Sequence, residues 1–295
     1  MTAKGGSTML GYIREILSEH NITLCGSLPL SSCRVIRPYL LEKHGIGPGG
    51  RVFVFAVPYL APTGAKPNIS AYAVPEDYHR FFTGLFDDIL PRLREKFPGH
   101  RFAGFTDHSP IDERAAAAAA GLGCVGRHGL LITGPYSSYV FLGEIIADPD
   151  TAVGEDAVIP DVRNSALCEN CNLCAAACPY GLSGGCLSAV TQKKGELSED
   201  ERNMIAKYGF AWGCDICQEV CPHTGAARSR GSIYTSIPYF LRALTPRLTR
   251  ELVLSMSDEE FSKRAYSWRG RETILRNLEL IEKSKPGTAG GTEKV

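Results

Sequence analysis

The chain has no long apolar run. No stretch of its 295 residues approaches the length of a bilayer span. The N-terminus lacks a charged region followed by an apolar one, so no signal peptide is expected either. Net charge is missing too, because 32 basic and 32 acidic side chains cancel. That excludes a global basic field as a lure for nucleic acid and leaves only a local basic face for the task. Internal repeats are absent apart from two cysteine half-motifs. Eleven cysteines in so long a chain fall well short of disulfide-scaffold density. What remains is ordinary for a soluble globular protein, with 44% hydrophobic and 22% charged residues. The length suffices for two or three compact units. A cytoplasmic location is the expectation.

Eight of the cysteines crowd into residues 168–221. Cys168, Cys171, Cys174 and Cys178 form C-x2-C-x2-C-x3-C-P, closed by Pro179. This is the bacterial ferredoxin run, in which three thiolates hold one 4Fe–4S cluster and the fourth crosses to another. Cys214, Cys217 and Cys221-Pro222 repeat its last three positions, with Ala211 where the first would stand. Crossed ligation then pairs Cys168, Cys171 and Cys174 with Cys221, and Cys214 and Cys217 with Cys178. Cys186, the one cysteine left in the segment, supplies the eighth thiolate. A zinc ribbon also uses C-x2-C pairs, but tetrahedral zinc explains the repeated triple poorly. Thiolates at cluster spacing imply a reducing compartment. Cys25, Cys33 and Cys124 lie outside this pattern and read as small buried hydrophobes.

Along the chain, Leu10, Ile13, Ile16 and Leu17 recur at helical spacing, and Asn21 to Leu24 reads as a short strand. Arg51 to Val57 is nearly all apolar, as a central buried strand is. A helix opens at Asp77-Tyr78-His79, with Phe82, Leu85, Phe86, Ile89 and Leu93 on its apolar face. A strand over Phe102 to Thr106 delivers Asp107 and His108. Ser109, Pro110 and Asp112 read as N-cap, first helical residue and capping-box acid of a slim helix with six alanines. Leu130 to Thr133 and Tyr139 to Ile146 read as two strands around a Gly134-Pro135 turn. Residues 148–166 read as an acidic linker, Ser198 to Lys207 as a helix capped by Ser198 with Glu201, and Leu241 to Leu280 as helical. Helices and strands mix without a strict βαβ repeat, so the fold class is α+β. The expected units are 9–155, 160–228 and 229–283, with 1–8 and 284–295 loose.

Several motifs resemble those of epoxyqueuosine reductases. They are Ser70-Ala-Tyr-Ala-Val-Pro-Glu-Asp-Tyr-His79, Phe105-Thr-Asp107-His-Ser-Pro-Ile-Asp-Glu-Arg114, Ala-Gly-Leu-Gly-Cys-Val-Gly-Arg-His128 and Tyr139-Val-Phe-Leu-Gly-Glu144. Cys186-Leu-Ser188, Gly213-Cys-Asp-Ile-Cys-Gln-Glu-Val-Cys-Pro222 and Arg276-Asn277 follow in matching order. The resemblance implies a nitroreductase-like cobalamin-binding domain, a ferredoxin-like double-cluster domain and a short helical C-terminus. It implies reduction of epoxyqueuosine in tRNA to queuosine, with electrons from a flavodoxin- or ferredoxin-type donor passing through both clusters to cobalamin. Asp107 falls on the family's proton donor. Ser70, Tyr78, His79, Asp107, Leu131, Leu142 and Ser188 fall where cobalamin contacts are implied. Longer members of that family differ in a longer stretch around Cys33 to Gly50, in further helices after Asn277, and in an aromatic residue at Cys124.

Each of these residues also has a plainer reading. Asp107 is placed like a turn aspartate, and Tyr78-His79 like a first-turn pair. Gly121, Gly123 and Gly126 spell G-x-G-x-x-G but follow a helix, so they read as a loop that lets backbone approach the cofactor rather than as a dinucleotide fingerprint. Basic residues concentrate after Cys186, at Lys193, Lys194, Arg228, Arg230, Arg242, Arg247, Arg250, Arg264, Arg269, Arg271 and Arg276. They offer a phosphate-binding face, or else pair with acids such as Asp258, Glu259, Glu260, Glu272 and Glu279. Two rival functions stay open, a cobalamin and iron–sulfur reductase of a small molecule and an electron carrier without substrate chemistry.

Overall fold

The computed structural model describes residues 8–148 and 166–284. Helices and strands follow in the order α1 (Met9–Glu19), β1 (Leu24–Pro29), α2 (Pro38–Lys43), β2 (Arg51–Pro58), α3 (Tyr78–Lys96), β3 (Arg101–Phe105) and α4 (Glu113–Ala119). Then come β4 (Cys124–Val125), β5 (Leu131–Ile132), β6 (Val140–Asp148), α5 (Leu173–Ala177), α6 (Leu187–Thr191) and α7 (Glu199–Tyr208). The last are α8 (Ile216–Glu219), α9 (Pro222–Ser229), α10 (Arg250–Ser255), α11 (Asp258–Ser262) and α12 (Arg271–Lys283). The chain divides into two compact units, neither continuous in sequence. The first holds Met1–Pro62, Tyr78–Ala177 and Ile216–Arg242; the second holds Thr63–Asp77, Cys178–Asp215 and Ala243–Val295.

The first unit is built on an antiparallel sheet in the order β1-β2-β6-β3. Every residue of β2 is buried, as its apolar run predicts for a strand covered on both faces. Side-chain alternation sorts the faces. Val52, Val54, Ala56, Ala103, Phe105 and Ile146 meet the alanines of α4 and Leu40 and Leu41 of α2. On the other face Phe55 meets Phe82 and Phe86 of α3, and a Cβ at Gly104 or Gly143 would collide with these rings. Helices α1 and α3 are tied by Arg92–Glu19 (2.8 Å) and His20–Asp88 (2.9 Å). The alanine run is slim for a reason, since Gly26 of β1 lies against the Ala120 carbonyl, where any Cβ would clash.

Four sequence expectations shift. The first strand begins at Leu24 instead of ending there. The N-cap of α4 is Asp112, whose carboxylate accepts from the Ala115 N–H, while Ser109, buried three residues before that cap, accepts from the Ile111 N–H. Strand β5 pairs with β4 instead of with β6. The stretch expected to be helical from Leu241 to Leu280 is broken into α10, α11 and α12. The capping box of α7, Ser198 with Glu201, is present as expected. The acidic linker lies outside the described residues apart from Asp148 and Ala166.

The second unit wraps its core around Trp212, which is fully buried. The chain at 68–71 runs beside 211–213, with Ala211 N–H to Asn68 O (2.7 Å), Ser70 N–H to Trp212 O (2.7 Å) and Trp212 Nε1 to the Tyr72 hydroxyl (2.7 Å). Ile205, Ile274, Leu278 and Tyr266 are buried in the same unit.

Candidate active site

Strand β3 ends at Phe105, and two residues later Asp107 takes a left-handed conformation, φ 58°. Such a backbone is uncommon for a residue other than glycine and commonly marks a functional turn. The Asp107 carboxylate accepts a hydrogen bond from the Tyr78 hydroxyl and lies 3.3 Å from His79 Nε2. Both partners open α3, so the first turn of one helix and the end of one strand assemble the cluster. The Tyr78 ring stacks on His79 (4.2 Å between centroids) and on Phe141 of β6 (4.1 Å), and Phe141 continues to Tyr59 (4.4 Å). The result is an aromatic shelf with a carboxylate at its rim. The Asp107 and His79 side chains are 52% and 54% exposed. Partial burial pushes the Asp107 carboxyl up, but the His79 and Tyr78 hydrogen bonds and the charge of His79 outweigh it and hold it below the usual aspartate value. An open recess beside it is lined by His79, Phe82, Phe86, Thr106 and His108.

Directly behind Asp107 stand two glutamates that the sequence reading did not single out. Glu144 is fully buried in β6, and Glu113 begins α4. The signal was available, since one acid interrupts the apolar run of Val140 to Ile146.

The other expected contact residues have varied settings. Leu131 is buried in the core beneath α4, and Leu142 packs at its edge. The buried Ser70 hydroxyl donates to Asp215 (2.6 Å), whose other oxygen accepts from the Ala71 N–H (2.6 Å). Ser188 Oγ accepts from Gln192 (3.0 Å). Of the glycines after α4, Gly123 and Gly126 answer to the protein's own packing, while a Cβ at Gly121 would meet nothing. A Cβ at Gly123 would strike the Ile132 carbonyl, and one at Gly126 the Ile132 side chain.

Cys168, Cys171, Cys174 and Cys221 line one recess in the first unit, together with His128 and His223. That is the first of the two crossed sets read from the spacing. Arg127 donates to the Cys168 carbonyl (3.1 Å) and fixes the loop. The Leu130 N–H donates to His128 Nδ1 (3.1 Å), so the neutral ring carries its proton on Nε2. That buried Nε2 has no partner among the described residues. A donor without an acceptor beside four thiols fits a group rich in sulfide acceptors. Among the described residues no three His, Cys, Asp or Glu side chains are arranged to hold a single metal ion. Of the second set, Cys178, Cys186 and Cys214 belong to the second unit and Cys217 to the first. Ala211, where a cysteine is missing, is fully buried. Burial pushes the Cys25 and Cys33 thiols up to about 12; Cys25 is buried and Cys33 packs at the edge of the core. Burial, and then the neighbouring Cys168 and Cys221, raises Cys124 as well.

The first unit thus carries a rim acid on an aromatic shelf and a cysteine-lined recess. No family model matches the chain. It is 33% identical over 222 residues to an epoxyqueuosine reductase of Listeria monocytogenes, covering 70% of this chain and 54% of that one. It is 28% identical to an epoxyqueuosine reductase of Gloeobacter violaceus, covering 78% and 72%. The chain thus spans about half the length of the Listeria relative. Its fold matches that of an epoxyqueuosine reductase solved with an epoxyqueuosine-modified tRNA-Tyr stem loop, with a TM-score of 0.69 and 24% identity over 92% of this chain and 80% of that one. The chain is similar in sequence and in fold to the epoxyqueuosine reductases.

Proposed function

We propose that this chain reduces epoxyqueuosine in tRNA to queuosine. The observation that carries the reading is Asp107, a half-exposed acid held by Tyr78 and His79 at the rim of a stacked aromatic shelf. The similarity to curated epoxyqueuosine reductases supplies the substrate class. In this reading the first unit contains a nitroreductase-like cobalamin-binding domain, and the cysteine-rich segment a ferredoxin-like module. Cys168, Cys171, Cys174 and Cys221 hold one 4Fe–4S cluster, and Cys178, Cys186, Cys214 and Cys217 the other.

The shelf of Tyr78, His79 and Phe141 suits the face of a flat macrocycle. Leu131 contributes through the packed core of the first unit. Cobalamin and the clusters, when bound, supply low-potential electrons drawn from an external flavodoxin- or ferredoxin-type donor. The chain supplies the proton and the geometry. Asp107 delivers a proton to the epoxide oxygen as the C–O bond breaks, because an alkoxide leaves poorly at neutral pH. Tyr78 and His79 hold the carboxyl in place.

For tRNA, the second unit offers Trp268, 57% exposed, with the Arg269 guanidinium 3.7 Å from its ring centroid. Exposed aromatic and cationic planes suit stacking on unpaired bases. Lys194 is exposed in the same unit. One observation favours a small-molecule substrate instead: most of the other basic residues in that unit are engaged internally. Arg271 donates to the carbonyls of Val253, Met256 and Ser257, Arg276 to Gly195, and Arg264 to Ala243.

Anaerobic reconstitution with cobalamin, followed by assay on tRNA carrying epoxyqueuosine, tests the reading. Queuosine in the product tRNA supports it. Turnover of the free nucleoside as fast as of tRNA favours the small-molecule reductase, and absence of bound corrinoid the electron carrier.

A further inference from the structure

Glu144 is the most anomalous side chain of the first unit. It projects from the middle of β6, opposite Val54 and Phe105, into the apolar layer between the sheet and α4. Its residue is 0% exposed, and neither carboxyl oxygen makes a hydrogen bond of good geometry. Glu113 approaches it from the first turn of α4, and one of its oxygens is likewise buried without a partner. An isolated buried carboxylate is costly enough that the group takes up a proton instead. Two carboxyls side by side sharpen the effect, because both cannot ionise together.

Among the described residues the groups facing this pair include Asp107 and Ser109 from the loop after β3, Arg37 before α2, and the Cys33 thiol. Arg37 directs one guanidinium nitrogen to the Ser109 carbonyl (2.9 Å), so its charge is not spent on Glu144 alone. The Asp107 backbone N–H points at the Glu113 carboxyl, so the turn that bears the rim acid rests on the buried pair.

We propose that Glu113 and Glu144 form a proton-holding carboxyl pair that positions Asp107 and supplies its proton. In the ligand-free state Asp107 is held ionised by His79 and Tyr78. The proton that the acid needs is therefore stored next door. Burial, then the neighbouring Glu113, keeps Glu144 protonated well above the usual glutamate range. Burial, then the charge of Asp107, raises Glu113 as well; half-buried and bonded to the Asp107 turn, where Glu144 is wholly enclosed, Glu113 is the member that exchanges. When a bound ligand takes up His79 or Tyr78, Asp107 loses the bonds that held it low and competes for the Glu113 proton. One proton then moves from Glu113 to Asp107 and on to the acceptor. The pair is left with a single negative charge and the proton of Glu144, and solvent refills it through Asp107.

The role rests on the reading of Asp107 as proton donor, but its test needs neither substrate nor corrinoid. Infrared difference titration of the full-length protein, 13C-labelled at glutamate carboxyls and prepared anaerobically, reads protonated glutamate directly. The expected result is a protonated-carboxyl band at pH 7 with two parts. One persists at higher pH and is lost in Glu144→Gln; the other titrates near neutrality and is lost in Glu113→Gln. Asp107→Asn, a change at a half-exposed loop residue, should keep both parts and move the titrating one to lower pH, because the charge that raises Glu113 is gone. A missing band in the wild-type protein, or a midpoint unmoved by Asp107→Asn, overturns the proposal. In turnover, Glu113→Gln should lower kcat about tenfold or more with KM little changed, and Glu113→Asp should recover part of it. Normal kcat in Glu113→Gln would also overturn the proton-supply role.

Discussion

The side-chain amide of Asn277 joins two separate stretches of the second unit, donating to the Thr191 carbonyl (2.7 Å) and to the Ala211 carbonyl (2.9 Å). Thr191 ends α6, the helix that follows Cys186, and Ala211 leads into Cys214. The Gly213 N–H donates to the Thr191 hydroxyl (2.8 Å) and closes the same knot. Asn277 is 0% exposed, so no water can replace it. Asn277→Leu keeps the branched four-atom side chain and removes the donor that both carbonyls share. We expect it to cost about 2–4 kcal/mol in denaturant unfolding. If the knot also fixes the spacing of Cys186 and Cys214, the variant should lose iron before it loses secondary structure on warming.

The cysteine recess makes a separable prediction. Cys221→Ser should remove the cluster assigned to Cys168, Cys171 and Cys174, although it lies far from them in sequence. Cys186→Ala should remove the other and spare the first. Iron and sulfide analysis with electron paramagnetic resonance of anaerobic protein checks both. A single cluster in the unaltered protein, or stoichiometric zinc, contradicts the assignment.

Asp107→Asn tests the acid. An amide of equal size can keep hydrogen bonds but cannot give up the proton. Turnover per bound corrinoid should fall about 10²–10⁴-fold while cluster and corrinoid content stay constant. A turn residue without chemistry would give the opposite pattern, lower stability with normal activity in the folded fraction.

The buried glutamates also write a pH signature into stability. A carboxyl whose folded value lies above its unfolded one binds more protons when folded, so stability falls as pH rises between the two. For Glu113 that window runs from its ordinary 4.5 to about 7, and for Glu144 it extends higher. Asp107 works in the reverse direction; its depressed value adds stability above 3.8 that is lost as pH falls through the folded value. Glu144→Gln should therefore flatten the loss of stability between pH 5 and pH 8, as followed by thermal unfolding across that range. An unchanged slope would mean that Glu144 is solvated.

Much of this was legible in the residues, for identifiable reasons. The β2 run and the capping box at Ser198 depend on local chemistry, and both are found as read; of the cysteines, Cys168, Cys171, Cys174 and Cys221 share one recess. The cap of α4 was misplaced because Ser109-Pro110 satisfies the local pattern as well as Asp112 does; the tertiary bond from the Asp112 N–H to the Arg34 carbonyl (3.0 Å) decides between them. Gly123 and Gly126 lie against Ile132, a contact made by a hairpin that sequence alone does not show. The Glu113–Glu144 pair is only half legible: an acid interrupts the apolar run of β6, but its burial is settled only when the opposite face is covered.

The substrate prediction rests on the charge left over after internal bonding. Lys193 pairs with Glu201, Arg250 lies near Glu279 and Glu282, and Arg271 holds three carbonyls besides Asp258. These are structural, so reversing Arg271 would unfold its surroundings and say nothing about tRNA. Lys194, exposed and without an ion pair among the described residues, and Arg269 on Trp268 are the informative positions. We expect tRNA binding that weakens steeply with salt, and a slope reduced by about one for each of Lys194→Glu and Arg269→Glu if each meets a phosphate. Trp268→Ala should weaken binding without changing the slope, because stacking releases no counterions. Absence of binding at low salt, or equal salt slopes in all variants, would place tRNA elsewhere or favour the small-molecule reductase.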